Sequence, residues 1–471
     1  MSTPPTSRPN VILINCDDLG YGDLGCYGST VNRTPAIDRL AAEGVRFDSF
    51  YMASPVCSPS RGAMLTGCYP PRIGFGSFDG LAVLFPGQAV GLSPSEITLA
   101  SLLSSVGYCT QMIGKWHCGD QPEFLPTKHG FDHYFGLPYS NDMGRQADRP
   151  TFLPEMPPLP LLFDDDVIEQ QPDQASLTER YVVEAVRFLR AAGDQPFFLY
   201  FAHMYVHLPL YVPRRFAEQS ANGAYGAAVE TIDWATAMIV RELRLLGLED
   251  NTIVIFTSDN GSLGNNPSPV GGSGEPIGGS NGPLRGAKAT TWEGGQRVPG
   301  IVKWPARITP GRVCAEIATS MDLYATLASL CGASLPQDRP IDGRDISSLW
   351  FDANAMSPHD AFYYYWMNSL EAIRVGRWKL HFAKRRQEMS ALYDLEADIG
   401  ETTDVAARHP EIVADLTIHA EAMRRSLGDA RTDRVGLDIR PIGRVDHPVT
   451  LTTYEPDYPY YIAEYDLSDR G

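Results

Sequence analysis

Short continuous apolar runs punctuate the first two thirds of the chain, and each ends in a polar cluster. Val11-Ile12-Leu13-Ile14 leads into Asn15-Cys16-Asp17-Asp18, and Tyr108 to Ile113 into Gly114-Lys115-Trp116-His117. Phe197 to Phe201 precedes His203 and His207, and Thr252 to Phe256 precedes Ser258-Asp259-Asn260-Gly261. An apolar run without alternation predicts a strand buried on both faces, as in a sheet covered by helices on each side. Helical patterns lie between the runs. Pro35 to Glu43 closes at Gly44, Ser95 caps a segment reaching Ser105, and Ser176-x-x-Glu179 opens a capping box before Val182, Val183, Val186 and Leu189. Tyr225 to Leu246 is a long amphipathic helix ended by Gly247, and the strand-like Gly300 to Trp304 and the helix Ser320 to Leu330 follow. This rhythm predicts an α/β fold, a large mixed, mostly parallel sheet sandwiched by helices.

Near residue 355 the pattern changes to consecutive strands, Ala361 to Trp366, Glu371 to Val375, Trp378 to Phe382 and Ala391 to Leu395, with a hairpin turn at Gly376-Arg377. A smaller C-terminal antiparallel sheet with the helix Pro410 to Arg425 is expected. The predicted organisation is a catalytic α/β domain over residues 1–355, an α+β subdomain over 356–430 and an extended arm over 431–471. The arm carries Tyr454, Tyr458, Tyr460 and Tyr461 and could cross its own body or a neighbouring subunit, so a homo-oligomer is left open. Gly74 to Pro94, with Phe75, Phe78 and Phe85 expected to be exposed, is predicted to be a loop over the site. Ser140 to Gln174, with the acidic Asp164-Asp165-Asp166, is predicted to be an insertion forming a pocket wall, and Gly271 to Gly282 a glycine-rich connection.

Composition narrows the partners. Across 471 residues the formal charge is −18, so no basic surplus exists to neutralise phosphates, and neither nucleic acid nor an anionic membrane is expected as a partner. No apolar run is long enough to span a bilayer, and Met1 to Pro9 is polar and proline-rich, without the apolar core of a signal peptide. The expectation is a cytoplasmic protein, or a periplasmic or secreted one if a signal has been removed. Eight cysteines lacking a CxxC pair fit reduced thiols, and the sequon Asn32-Arg33-Thr34 fits chance.

Ligands of open α/β sheets bind outside the carboxyl ends of the strands, so the four polar clusters can share one crevice. There Asp17, Asp18 and Asp259 would repel by about 4 kcal/mol per pair at ~4 Å and an effective dielectric near 20. A cation is expected, and all-oxygen donors with the Asn260 carbonyl favour a hard ion, Ca²⁺ or Mg²⁺. Lys115 and His117, two apart in extended chain, would face one pocket. In Cys57-Ser58-Pro59-Ser60-Arg61, Ser58 suits an N-cap and Pro59 the first helical position, which places Cys57 just outside a helix N-terminus that favours anions. Each cluster alone also fits a structural role: an inert buried thiol, a capped turn, a solvated lysine.

Together they are more specific. Asn10 to Gly20, Cys-x-Pro-x-Arg at 57–61, Gly114 to His117, Ser258 to Gly261 and Lys288 occur in the order of the sulfatase family motifs, and Leu392 to Leu395 with Gly400-Glu401 resembles that family's closing strand. The chain thus resembles formylglycine-dependent, arylsulfatase A-like sulfatases of the alkaline phosphatase-like superfamily. The resemblance implies that a formylglycine-generating enzyme converts Cys57 to Cα-formylglycine, and that Asp17, Asp18, Asp259, Asn260 and an oxygen of residue 57 hold the metal. It further implies that Lys115 and Lys288 bind the sulfate, that Arg61 positions residue 57, that His207 is the general acid and His117 the base, and that Ser140 contacts the sulfate. The arylsulfatase A type has a histidine after that serine; here it is Asn141. The implied activity is hydrolysis of a small, aryl sulfate ester. The alternatives are a formylglycine-dependent phosphonate or phosphate ester hydrolase and a catalytically silent anion-binding homologue.

Overall fold

The four motif-bearing runs become four neighbouring parallel strands. In the computed structural model, which describes residues 8–145, 156–264, 279–385 and 387–454, Thr252–Ser258 pairs with Asn10–Cys16, which pairs with Phe197–Ala202, which pairs with Cys109–Gly114. Cys16 lies opposite Ser258, and both Asn15 and Gly114 lie opposite Ala202, so the four carboxyl ends are level. The sheet continues beyond Thr252–Ser258 through Arg297–Lys303, Val45–Tyr51 and Arg312–Cys314, and beyond Cys109–Gly114 through His133–Gly136, Pro160–Phe163 and Asp166–Gln170. Antiparallel pairs occur towards its edges, which makes it mixed but mostly parallel.

Alternation along Asn10–Cys16 feeds two cores. Val11 and Leu13 pack on one side with Met64, Leu103 and Leu327 of the helices Cys57–Thr66, Leu99–Ser105 and Asp322–Cys331. Ile12 and Ile14 pack on the other with Leu40, Leu189 and Ile239 of Pro35–Ala42, Leu177–Ala191 and Gly223–Leu245. All four strand residues are fully buried, each worth roughly 1.5–3 kcal/mol. Beside this body, Phe362–Trp366, Ser369–Val375, Trp378–Lys384 and Gln387–Asp394 form the expected antiparallel sheet, and the helix Pro410–Leu427 packs on it through Leu416 and Ala420.

Several local expectations are corrected. Cys57 is the first residue of its helix and Val56 the N-cap, while the Ser58 hydroxyl accepts the Leu84 N–H instead of capping. Thr98, not Ser95, caps the next helix, accepting from the Ser101 N–H. Ser176 makes no capping bond; its hydroxyl donates to the Asp173 carbonyl. Phe75 and Phe78 are fully buried, packed edge to face on each other. The acidic cluster lies at the turn of the edge hairpin Pro160–Phe163 and Asp166–Gln170, where Asp164 accepts the Tyr134 N–H and Asp165 pairs with Lys128. The sequon Asn32 is buried, its amide donating to the Asp23 carbonyl. Most of Gly271 to Gly282 lies outside the described residues, as do Tyr458, Tyr460 and Tyr461. The arm up to Tyr454 crosses its own body: Gly443–Arg444 pairs with Val90–Gly91, and Arg440 pairs with Glu96. All eight cysteines are free. Among the described residues no helix is long and apolar enough to cross a membrane.

Candidate active site

Each strand ends by leaving regular geometry. Gly114 (φ 104°) stops its strand, and Asp18 (φ 61°) and His117 (φ 60°) take the left-handed region that non-glycine residues seldom adopt. Lys115 and His117 lie just past the strand end, in irregular chain whose N–H groups bond the Ala202 and Pro138 carbonyls. Asp17, Asp18, Cys57 and His207 bring ligand atoms within 4.8 Å of one another. Cys57 Sγ donates to Asp17 Oδ1 at 3.4 Å. Lys115 Nζ bonds Asp17 and, at 3.1 Å, Ser140 Oγ, while Lys288 Nζ lies 2.8 Å from the Asp18 carboxylate. His207 Nε2 stands 3.8 Å from Asp18 Oδ2; its Nδ1 lies 2.6 Å from the Leu208 carbonyl and 3.4 Å from Ser140 Oγ.

Arg61 is fully buried behind this surface. Its Nε donates to Asp259 Oδ2 (2.8 Å) and its Nη1 to the Lys115 carbonyl (2.7 Å), while Nη2 lies 2.7 Å from Asp259 Oδ2 and 3.7 Å from Asp17 Oδ2 as an ion pair. It reaches residue 57 through these carboxylates. Asp259 Oδ1 accepts the Asp18 N–H at 3.3 Å, and Asn260 Nδ2 donates to Asp18 Oδ1 at 2.7 Å. Three carboxylates thus face three basic side chains, so the chain's own cations offset part of the repulsion expected among them.

Burial raises the Asp17 pKa, but Lys115, His207 and Arg61 outweigh it and hold the carboxyl well below the usual range. Asp259 moves the other way, raised by burial and by Asp17. Burial and then Asp17 push the Cys57 thiol far up against Lys115 and Lys288, so a plain cysteine here is protonated and unreactive. Burial and then Lys115 keep His117 neutral; its Nε2 bonds the Leu84 carbonyl at 3.0 Å, which leaves Nδ1, without a hydrogen-bond partner, as the basic nitrogen. Asn260 Oδ1 is also buried without a partner. A buried carbonyl oxygen left open beside two carboxylates suits a hard cation. The residues present therefore fit a divalent metal.

These contacts join the predicted residues around Asp17 and Asp18, with Arg61 behind them; His117 is joined only indirectly, through Leu84, whose N–H the Ser58 hydroxyl accepts. Sequence reasoning missed the Leu84 carbonyl, since a backbone acceptor leaves no residue-type signal, and the Ser60 hydroxyl, which donates to the Asp259 carbonyl at 2.5 Å.

The family profile described as Sulfatase matches residues 9–333, and that of the N-sulphoglucosamine sulphohydrolase C-terminal region matches residues 287–426. Human arylsulfatase A (Homo sapiens) is 40% identical over 430 residues, covering 87% of this chain and 81% of its own length. Steryl-sulfatase of Rattus norvegicus is 40% identical over 446 residues, covering 80% of this chain and 76% of its own. Among solved structures, the PsFucS1 sulfatase from Pseudoalteromonas sp. superposes with a TM-score of 0.78 at 30% identity, covering 88% of this chain and 90% of that one. With this fold and this crevice, the chain belongs to the sulfatase family and is a sulfuric ester hydrolase.

Proposed function

We propose that the chain hydrolyses a sulfate ester with an aryl leaving group at a nucleophile derived from Cys57. The observation that carries this is the seat of Cys57: first residue of a buried helix, 3.4 Å from Asp17, with a thiol that burial keeps protonated. A thiolate attacking sulfur would in any case be left as a stable S-sulfonate. Conversion to Cα-formylglycine supplies an aldehyde hydrate, one of whose hydroxyls attacks while the other allows sulfate to be expelled as the aldehyde re-forms. A formylglycine-generating enzyme is the partner this requires, and Cys57 Sγ marks the position of the hydrate oxygen.

Asp17, Asp18, Asn260 and residue 57, with Asp259 beside them, would hold Ca²⁺ or Mg²⁺. When bound, that ion lowers the hydroxyl pKa and draws negative charge from the sulfate. Lys115 and Lys288, each already extended to a carboxylate, hold sulfate oxygens, and Ser140 adds a hydroxyl beside Lys115. Arg61 fixes Asp259 and the Lys115 backbone. His117 takes the proton of the second hydroxyl through Nδ1. His207, its Nδ1 committed to the Leu208 carbonyl, delivers a proton from Nε2 to the departing oxygen. A histidine in the ligand set would favour softer metals; the open Asn260 oxygen supports the all-oxygen set instead.

Half-buried apolar side chains close in sequence to His207 and to the Leu84 that holds His117 support an aryl group. Phe85 and Val83 flank Leu84, Leu210 lies three residues after His207, and all three are half-buried against one apolar cluster. Relatives named for aryl and steryl sulfates agree. Mass spectrometry of the Cys57 peptide from the native host is expected to find the aldehyde or its hydrate, and chelation to stop turnover until Ca²⁺ or Mg²⁺ returns. Unmodified thiol with no sulfate-ester turnover would overturn the reading, and faster turnover of phosphonate than sulfate esters would replace it with the phosphonate alternative.

A further inference from the structure

Ser140 and Asn141 are adjacent but do different work. Ser140 Oγ lies between Lys115 Nζ (3.1 Å) and His207 Nδ1 (3.4 Å), on the sulfate side of the crevice. Asn141, fully buried, donates from Nδ2 to Gln174 Oε1 and to the Pro209 carbonyl, both at 3.0 Å. An amide nitrogen carries two hydrogens in a planar fork, and here two carbonyl-type acceptors meet it. Pro209 stands two residues after His207. Two residues before it, the Tyr205 hydroxyl donates to the Gln174 carbonyl at 2.9 Å, and the Tyr205 carbonyl accepts the Asp17 N–H at 3.0 Å. The loop carrying His207 is thus gripped at both ends, by Asp17 and Gln174 before it and by Asn141 after it. Among the described residues, the imidazole's polar contacts within 4 Å are its neighbour's carbonyl, Ser140 and, more distantly, Asp18.

We propose that Asn141 is a positioning residue for His207, setting through the Pro209 carbonyl the distance and direction from which Nε2 delivers its proton. This rests on the reading of His207 as general acid. In that step the sulfur–oxygen bond to the leaving group breaks, its electron pair stays on the leaving oxygen, and the proton passes from Nε2 to that oxygen, leaving neutral imidazole with Nδ1–H on the Leu208 carbonyl. A leaving group already stable as an anion needs this proton little; a poor one needs it greatly.

The test compares leaving groups, from 4-nitrophenyl sulfate to phenyl and 4-methoxyphenyl sulfate. General acid catalysis contributes roughly 10²–10⁴-fold, so Asn141→Ala is expected to lower kcat on the poorer leaving groups roughly 10- to 100-fold while 4-nitrophenyl sulfate falls no more than about 3-fold and KM stays within about 2-fold. Adding Asn141→Ala to His207→Ala should cost nothing further. If His207→Ala fails to steepen the dependence on the leaving group, the general-acid reading falls. If His207→Ala steepens it but Asn141→Ala lowers all substrates equally, or none, the positioning inference alone falls. Should Asn141→Ala fail to fold, Gln174→Ala removes the side-chain oxygen that orients the Asn141 amide while keeping the backbone carbonyl that holds Tyr205. The same steepening at smaller size is then expected, and a uniform loss there overturns the inference equally.

Discussion

Where the short helix Glu293–Gln296 meets the antiparallel sheet, Glu293, Lys379, Glu401, His381, Arg297 and Arg374 form a cluster as deeply buried as the one around Asp17. Glu293 takes bonds from Tyr364 (2.7 Å), Lys379 (2.9 Å) and Tyr51 (2.5 Å); Lys379 also reaches Glu401 (2.9 Å) and the Thr291 carbonyl (2.9 Å); and Glu401 accepts from the Glu293 N–H (2.8 Å) and pairs with His381 (3.0 Å). There the carboxylates and cations close on one another, and only the His381 Nδ1 of these six side chains is left without a hydrogen-bond partner, away from the carboxyl ends of the parallel strands. Around Asp17 they do not: Asn260 Oδ1 and His117 Nδ1 have no hydrogen-bond partner, and Lys288 and His207 stand at a half-open rim. Burial of charge does not by itself mark a site. What marks it is polar capacity left unspent at the ends of parallel strands, because unspent capacity is what a substrate or an ion can use.

The comparison breaks most visibly at residue 57. Cys57→Ala should leave the unfolding midpoint nearly unchanged and lower sulfate-ester turnover by roughly 10³-fold or more, the scale of losing a nucleophile; turnover within 10-fold of the parent would mean that the crevice around Asp17 is not where the chemistry occurs. Lys379→Met tests the other cluster. Removing one partner of a buried pair costs roughly 3–5 kcal/mol, so denaturant titration should show a large loss of stability, while the folded fraction keeps its kcat within about 3-fold. Unchanged stability with lost activity would invert the two assignments.

The smallest effect is on pH dependence. Burial lowers the His381 pKa to about 4 from 6.5, against its bond to Glu401. Between these values the unfolded chain binds a proton that the folded one does not, so stability is fully present above about pH 6.5 and falls as pH drops towards 4. Lys379, Arg297 and Arg374 outweigh burial to hold Glu293 well below its usual range, which adds a further loss below about pH 4.5. Asp23, Asp120 and Asp233, raised by burial to about 7, 6 and 7, act in the opposite sense, so the test is the difference between the urea midpoints of the parent and of His381→Gln, which should narrow as pH falls from 7 to 4. A difference that stays constant over that range would show that the histidine is not neutral in the fold.

Much of this was legible in the chain. Val11 to Ile14 and Thr252 to Phe256 are strands because a short apolar run has no polar face to offer solvent, and the residues after them point to the site because parallel strands share a carboxyl edge. Less legible were features with competing local solutions. Ser58 could cap a helix or accept from Leu84, and only the path of residues 78–91, tied by the arm at Gly443–Arg444, chose the second. Phe75 and Phe78 lie among glycines and prolines, a context that suggests exposure, yet the loop folds back and buries them. Asn141 was visible only as a departure from a motif; that its amide reaches Pro209 depends on a loop 68 residues further on.

By itself, the sequence determined the elements, the family and the residue types of the crevice, because periodicity, capping and motif spacing are properties of consecutive residues. Tertiary structure alone decided which charges pair with which. Cys57 meets Asp17 across 40 positions and Lys288 meets Asp18 across 270, distances over which no local preference acts. The order of strands in the sheet closes those gaps, and burial then sets whether each charged group is neutralised by its neighbours or left available for chemistry.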